Sequence, residues 1–381
     1  MLRLTLGAEL EALRQEFRSW VAAHPVPRPK SAALDEFQRC GREWQRLLAS
    51  GRWLGLSWPQ AFGGRGLNLV ADAVVQEEMV RANAPQVLGL FGLTMVGPVL
   101  IRHGTDAQRA RFLAKILDAS EIWCQGFSEP GAGSDLANVA TRAERVGNSY
   151  RINGQKVWTS FAHIADWCFL LCRTSQGKAK HEGLSYLLVP MKQAGIQVRP
   201  LKQISGDEEF NEVFFDNVEA PADCIVGQEG EGWKIAISTL MFERVVLTFA
   251  RQLQSESLLR RLLELPQAEQ FRDELASCVA TATAVRALAY THLISYANGK
   301  QPGPEGSLDK LFWSESFQEI ADLGVRMLGS RAVLGEEDPE VGMYLHQYLY
   351  SRGRTIAAGT SEIQRNIIAE RVVGLPRSGE R

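Results

Sequence analysis

The sequence predicts an α+β protein, mainly α, with an N-terminal helical domain, a middle β-barrel domain and a C-terminal four-helix bundle. Three observations predict it. Apolar residues recur at three-to-four spacing over the first third of the chain. Short β-branched and aromatic runs, separated by turn residues, take over near Ile122. Helical periodicity returns from Gly230 onward. The changes of texture place the domains at 1–120, 121–228 and 229–381. A chain of 381 residues is too long for one ordinary small core, which agrees with that division.

Taken in order, 6–22, 34–50, 71–83 and 106–117 carry apolar stripes of helical period. Between them lies GLSWPQAFGGRGLN, whose Pro59, Gly63, Gly64 and Gly66 forbid a helix. In the middle third, SYRINGQKVWTS has Asn153-Gly154 between alternating segments, the signal of a hairpin. ADWCFLLCR, GLSYLLVPM, GIQVRPL and NEVFFDNVEAP read as further strands. Helices are then expected over 232–265, 267–298, 308–328 and 339–352. In the last helix, Ser361 with Gln364 reads as a capping box, and Gly374 with Pro376 ends it.

A formal charge of −2 gives no reason to expect nucleic acid or an anionic membrane as partner. No apolar run approaches the ~20 residues that span a bilayer. The N-terminal stretch carries charges throughout and lacks a signal-peptide core. The six cysteines are scattered, without CxxC or an accompanying histidine cluster. They read as reduced core thiols of a cytoplasmic protein, Cys168 and Cys172 sharing one face of a strand, and no metal site is expected.

The chemistry-bearing stretches are three. In CQGFSEPGAGSDLANV, Pro130, Gly131 and Gly133 make a turning backbone that a ligand can approach closely, and Ser128 and Ser134 add hydroxyls. GQKVWTS then sets Trp158 beside hydroxyls, with Trp158 and Ser160 on the outgoing strand of the expected hairpin. An aromatic plane beside hydroxyl donors suits an isoalloxazine ring, and a core tryptophan is the other reading. In GWKIAISTLMFERVVLTFA, Ala236, Leu240, Glu243, Leu247 and Ala250 fall on one helical stripe. A lone carboxylate there is either a base held out of water or half of a buried pair with Arg244 or Arg251. Last, TIAAGTSEIQRN presents a corner at a helix start, whose amides favour a polar ring edge or an anion.

Together, over nearly the whole chain, these stretches resemble the acyl-CoA dehydrogenases. The resemblance implies FAD as cofactor, an acyl-CoA as substrate and an electron-transfer flavoprotein as electron acceptor. It implies a place in fatty acid β-oxidation and a homotetramer built as a dimer of dimers. Gln125, Phe127, Ser128, Ser134, Trp158, Thr159, Ser160, Thr360 and Glu362 match FAD-contacting positions, with the Ser160 hydroxyl near the reactive N5. Ser134, Met241, Arg244 and Gly359 match substrate-binding positions. FAD is expected in the cleft between the β domain and the bundle. Many members carry a catalytic glutamate where this chain has Ala358. A minority place it on the first bundle helix, in a Glu-Arg pair that Glu243-Arg244 matches. The resemblance therefore implies Glu243 as the base that takes the Cα proton while the Cβ hydride goes to flavin N5. The backbone N–H of Ala358 is then a donor to the thioester oxygen.

Two departures weaken the resemblance at the adenine end of FAD. The Arg-x-x-Phe-Gly element is replaced by ARQLQSESLLRRLLELPQAEQF, and a partner-facing glutamine is replaced near Arg326 in GVRMLGSR. Two other readings therefore stand beside the dehydrogenase: a non-catalytic or half-site subunit of a heteromer, and an oxidase on the same fold.

Overall fold

The computed structural model describes residues 7–30, 34–300 and 303–376; among these, the side chains of 242–250 and 336 lie outside the description. The protein is α+β, mainly helical, with a curled sheet in the middle. The first helices are α1 (Ala8–Ala23), α2 (Leu34–Ser50), α3 (Leu69–Arg81), α4 (Gly97–His103) and α5 (Asp106–Leu117). The predicted start of α1 at residue 6 lies outside the described residues. The strands are β1 (Trp123–Gly126), β2 (Arg142–Val146), β3 (Ser149–Lys156), β4 (Trp167–Arg173), β5 (Leu184–Pro190), β6 (Ile196–Leu201) and β7 (Phe210–Pro221). The last helices are α6 (Gly232–Leu263), α7 (Arg272–Ala297), α8 (Gly306–Leu328), α9 (Pro339–Arg354) and α10 (Ser361–Ile367). No helix among the described residues is long and apolar enough to cross a membrane.

Two compact units share these elements: Ser19–Asn68 with Ala82–Phe242, and Met1–Arg18 with Leu69–Arg81 and Glu243–Arg381. The first contains the whole sheet, in the order β1-β4-β2-β3-β7-β6, with β5 also on β4. The unbroken apolar runs of β4 and β5 follow from burial on both faces. Cys168, Leu170, Cys172, Leu187 and Val189 point into the sheet's own core. Phe169, Leu171, Leu184, Tyr186 and Leu188 pack with Val99 and Leu100 of α4 and Phe112, Leu113 and Ile116 of α5. All six cysteines are free and buried.

The sequence reading went wrong at three local points. Asn153-Gly154 is not a hairpin turn. β3 runs straight through it, and the turn between β2 and β3 is at Gly147 (φ +60°) and Asn148. Gly154 marks a bulge against β7; its φ is +151°, and a Cβ there would meet Thr141 Oγ1 at 2.5 Å. The bulge uses the same residue freedom as a tight turn, so the dipeptide alone does not distinguish them. Trp158 and Ser160 accordingly follow β3 instead of lying on a strand. Second, α4 and the π turn Gly92–Val96 before it went unread because glycines break the apolar stripe. Gly97 is there because Trp58 presses on it: a Cβ would meet the indole at 2.4 Å. Third, the N-cap of α10 is Thr360, whose hydroxyl accepts from the Ile363 amide at 3.3 Å, and not Ser361. Gln364 turns its amide away from a capping box, toward the preceding corner.

The other unit is built on α7, α8 and α9 with the later part of α6. Leu258, Leu259 and Leu262 of α6 pack with Leu275 and Val285 of α7, Trp313, Phe317 and Ile320 of α8, and Tyr344 of α9. Helix α3 belongs to this unit through Val70, Ala73 and Val74, which pack against Leu253, Ala289, Tyr290 and Leu293. That helix also carries a charge into the interior. Glu77 is fully buried, and accepts hydrogen bonds from Arg14 at 3.0 Å, Arg81 at 2.9 Å, Tyr290 Oη at 3.1 Å and Arg286. Arg286 in turn pairs with Glu256 at 2.8 Å. Burial pushes the Glu77 carboxyl up, but Arg286, Arg81 and Arg14 outweigh it and hold it below its ordinary 4.5.

A carboxylate lowered on folding contributes stability above its unfolded pKa, and that contribution is lost as pH falls through the folded one. Glu77→Gln should therefore cost about 3–5 kcal/mol at pH 7, the scale for breaking a buried ion pair. The gap from the parent protein should narrow below pH 4.5. Urea unfolding across pH 7 to 3 measures it, and a constant gap would refute the assignment.

Candidate active site

The loop after β3 is fixed from below by one buried ion pair. Lys156, the last residue of β3, has no solvent exposure. Its ammonium donates to the Phe127 carbonyl at 2.9 Å and to Glu129 Oε1 at 2.7 Å. Glu129 accepts two more bonds, from the amides of Ala140 at 2.7 Å and Thr141 at 2.9 Å. Burial pushes Lys156 down, and Glu129 only partly restores it. Burial pushes Glu129 up, but Lys156, with hydrogen bonds from Thr141 and Ala140, brings it below the ordinary carboxylate range. The Val157 amide donates to the Ser128 carbonyl at 2.9 Å. The segment 125–134 and the segment 158–160 are thus joined through Lys156 and Val157, as the sequence motifs require of one site.

Within this unit the predicted residues divide by what they present. Trp158 is 59% exposed, follows the strand at φ +61°, and meets Phe210 edge-on at 5.9 Å between ring centroids. It is not a core tryptophan. Thr159 is fully buried, yet its Oγ1 has no partner among the described residues. Gln125, Ser128 and Ser160 are half-buried, and Ser134 is exposed. A Cβ added at Gly131 or Gly133 would meet nothing, so open space surrounds this backbone. Phe127 presents its backbone; its ring lies in the core, edge-on to Phe169 and Tyr186. Met241, on α6, is half-buried. An exposed indole, a buried hydroxyl without a partner and an open glycine backbone fit a flat ring system with polar edges.

In the other unit, Ala358 and Gly359 are consecutive left-handed residues, φ +57° and +92°. Gln364, fully buried, holds the corner by donating Nε2 to the Ala358 carbonyl at 3.0 Å and to the Gly359 carbonyl at 3.2 Å. A Cβ on Gly359 would meet that same nitrogen at 2.5 Å, so glycine is required there. The Ala358 amide makes no hydrogen bond among the described residues. Ser361 Oγ is buried without a partner among them. Glu362 is exposed; hydrogen bonds from its own amide and the Thr360 hydroxyl lower its carboxyl. Glu243 and Arg244 lie on α6, but their side chains are outside the described ones.

Sequence reasoning missed Glu129, Lys156 and Asn211. Asn211 is fully buried on β7, and donates to the Thr159 carbonyl at 2.9 Å. The available signal was a lysine closing the inward alternation of β3, with a glutamate inside the Gly/Ser-rich stretch.

Comparison with known proteins gives a consistent result. The models of the acyl-CoA dehydrogenase N-terminal, middle and C-terminal domains match residues 7–120, 124–218 and 230–373. Acyl-CoA dehydrogenase IpdE1 of Mycolicibacterium smegmatis is 43% identical, over 97% of this chain and 98% of its own. Among solved structures, the ChsE4-ChsE5 complex from Mycobacterium tuberculosis matches with a TM-score of 0.84 at 30% identity, covering 99% of this chain and 100% of that one. A protein described as the Tcur3481-Tcur3483 steroid ACAD matches with a TM-score of 0.83 at 29% identity, over 99% and 100% of the two chains.

If Lys156 and Glu129 act as a unit, breaking one half is worse than removing both. Lys156→Met should cost about 3–5 kcal/mol, and Lys156→Met with Glu129→Leu should cost less than the single change. Chemical unfolding of both single variants and the double tests this. Additive losses would show that the pair is not coupled.

Proposed function

The chain belongs to the acyl-CoA dehydrogenase family and is an oxidoreductase, and from this premise we propose α,β-dehydrogenation of an acyl-CoA thioester to the trans-2-enoyl-CoA, with Glu243 as base. The observation that carries the reading is the loop after β3, with its exposed left-handed Trp158 followed by the unpartnered hydroxyl of Thr159. FAD, when bound, supplies the acceptor for the hydride that leaves Cβ. Gln125, Phe127, Ser128, Ser134, Trp158, Thr159 and Ser160 are assigned to hold it, together with Thr360 and Glu362. Phe127 contributes through its backbone.

Glu243 takes the Cα proton. Removing it leaves negative charge on the thioester oxygen, and the Ala358 amide is the assigned donor to that oxygen. Its left-handed backbone and the lack of a partner for that amide among the described residues support this role. Donation through the backbone does not depend on the side chain, so alanine serves where other members carry the base. Ser134, Met241, Arg244 and Gly359 are assigned to the substrate. Domain limits at 1–120, 121–228 and 229–381 go with this reading, as do an electron-transfer flavoprotein as acceptor, a cytoplasmic location and a dimer of dimers.

A second reading concerns assembly and acyl group. The similar ChsE4-ChsE5 structure is a complex, and the chain lacks the Arg-x-x-Phe-Gly element. These favour a chain that works as one subunit of a heteromer. The similar steroid ACAD favours a bulky, steroid-derived acyl group over a linear fatty acyl group, and the small side chain of Ala358 suits it.

Anaerobic flavin reduction by an acyl-CoA tests the base. Glu243→Gln should slow reduction by about a hundred- to ten-thousand-fold, the range for general base catalysis, while FAD stays bound. Reduction at the parent rate would place the base elsewhere. Activity appearing only after co-expression with a second polypeptide would select the heteromer.

A further inference from the structure

Trp158 and Phe161 both hold positive φ, +61° and +58°. Such backbone strains any residue with a Cβ, and persists only where the surroundings over-determine it. The surroundings here converge on Asn211. Its side-chain Nδ2 donates to the Thr159 carbonyl at 2.9 Å and the Glu209 carbonyl at 3.1 Å, using both of its N–H bonds. Those two donations fix which way the amide points. Its Oδ1 then accepts from His163 Nδ1 at 3.3 Å. Its backbone carbonyl accepts from the Thr159 amide at 3.0 Å, and the Glu209 carbonyl accepts from the Phe161 amide at 2.7 Å. Asn211 therefore binds the main chain of Thr159 from both sides and leaves the Thr159 hydroxyl without a partner among the described residues.

We infer that Asn211 is a positioning residue: it locks the turn 158–161, with Trp158 and Phe161 left-handed, so that the Trp158 indole and the Thr159 hydroxyl are presented before FAD arrives. The inference rests on the flavin assignment proposed above. Preorganisation of this kind raises affinity by removing an ordering cost at binding. The residue type follows from the geometry. Both acceptors are carbonyls, so a carboxylate cannot replace the amide, and a shorter side chain removes one donor from the buried Thr159 carbonyl and one from the part-buried Glu209 carbonyl.

The test uses the full chain with Asn211→Ala and, as a milder change that keeps a polar atom in the space, Asn211→Ser. Val218→Ala is the control: Val218 is fully buried on the same strand and pairs with Ile152, away from the loop. Hydrogen exchange of the cofactor-free protein over residues 157–163 reads the lock. Titration of the cofactor-free protein with FAD reads the consequence. Both Asn211 variants should speed exchange at Thr159 and Phe161 and weaken FAD binding by roughly tenfold, the order of the two hydrogen bonds lost. Val218→Ala should lower the unfolding midpoint and leave both readouts at parent values. Exchange no faster than in the control overturns the lock. Faster exchange with unchanged FAD affinity overturns the positioning role. If the parent protein takes up no FAD, the flavin assignment fails and this role with it. If Trp158→Ala weakens FAD binding and the Asn211 variants do not, the flavin assignment stands and only Asn211 falls.

Discussion

A lysine with no solvent exposure sets the geometry of the candidate site. Lys156 carries its charge beneath the sheet because Glu129 and the Phe127 carbonyl are there to receive it. Desolvating both ions costs several kcal/mol each, so the pair persists only where the partners' positions are fixed. Glu129 cannot rotate away, since the Ala140 and Thr141 amides hold both of its oxygens. One strand end is thereby tied to two separate turns of chain. A hydrophobic contact would stabilise as well, but it would not specify which atom of Phe127 faces β3.

Backbone strain marks the same places. Among the described residues seven without glycine's freedom hold positive φ; two of them, Trp158 and Ala358, fall in the segments assigned to cofactor and substrate, and Phe161 directly follows the first. Each is held by a buried amide side chain nearby: Asn211 in the one segment, Gln364 in the other. Sites that must present backbone or aromatic groups in one orientation are where such strain is retained.

The parts legible in the sequence were those written in short-range pattern. Helical period gave α2 and α5 to the residue, and the doubly buried runs of β4 and β5 were plain as strands. The exposed tryptophan and the Ala-Gly corner were picked out from residue type and order. Long-range contact was not legible. Asn153-Gly154 carries the same local signal in a turn and in a bulge, and only the pairing with β7 decides between them. Asn211 gave no local sign, because its partner lies far along the chain: 52 residues separate it from Thr159. Phe127 was singled out as a residue, and only the fold shows that its carbonyl is what meets Lys156.

Helix α3 makes a further point about the order in which the chain is synthesised. Its apolar face packs against Leu253 of α6 and Ala289, Tyr290 and Leu293 of α7, and Arg286, one of the partners of Glu77, lies 209 residues downstream. At roughly 5–20 residues per second, α3 emerges on the order of ten to forty seconds before Arg286 exists, and until then only Arg14 and Arg81 can pair with Glu77. During that interval Val70, Ala73 and Val74 lack Leu253, Ala289, Tyr290 and Leu293, which complete their cluster. The nascent chain therefore passes through a stage in which a helix made early must be kept from other company until a helix made late arrives.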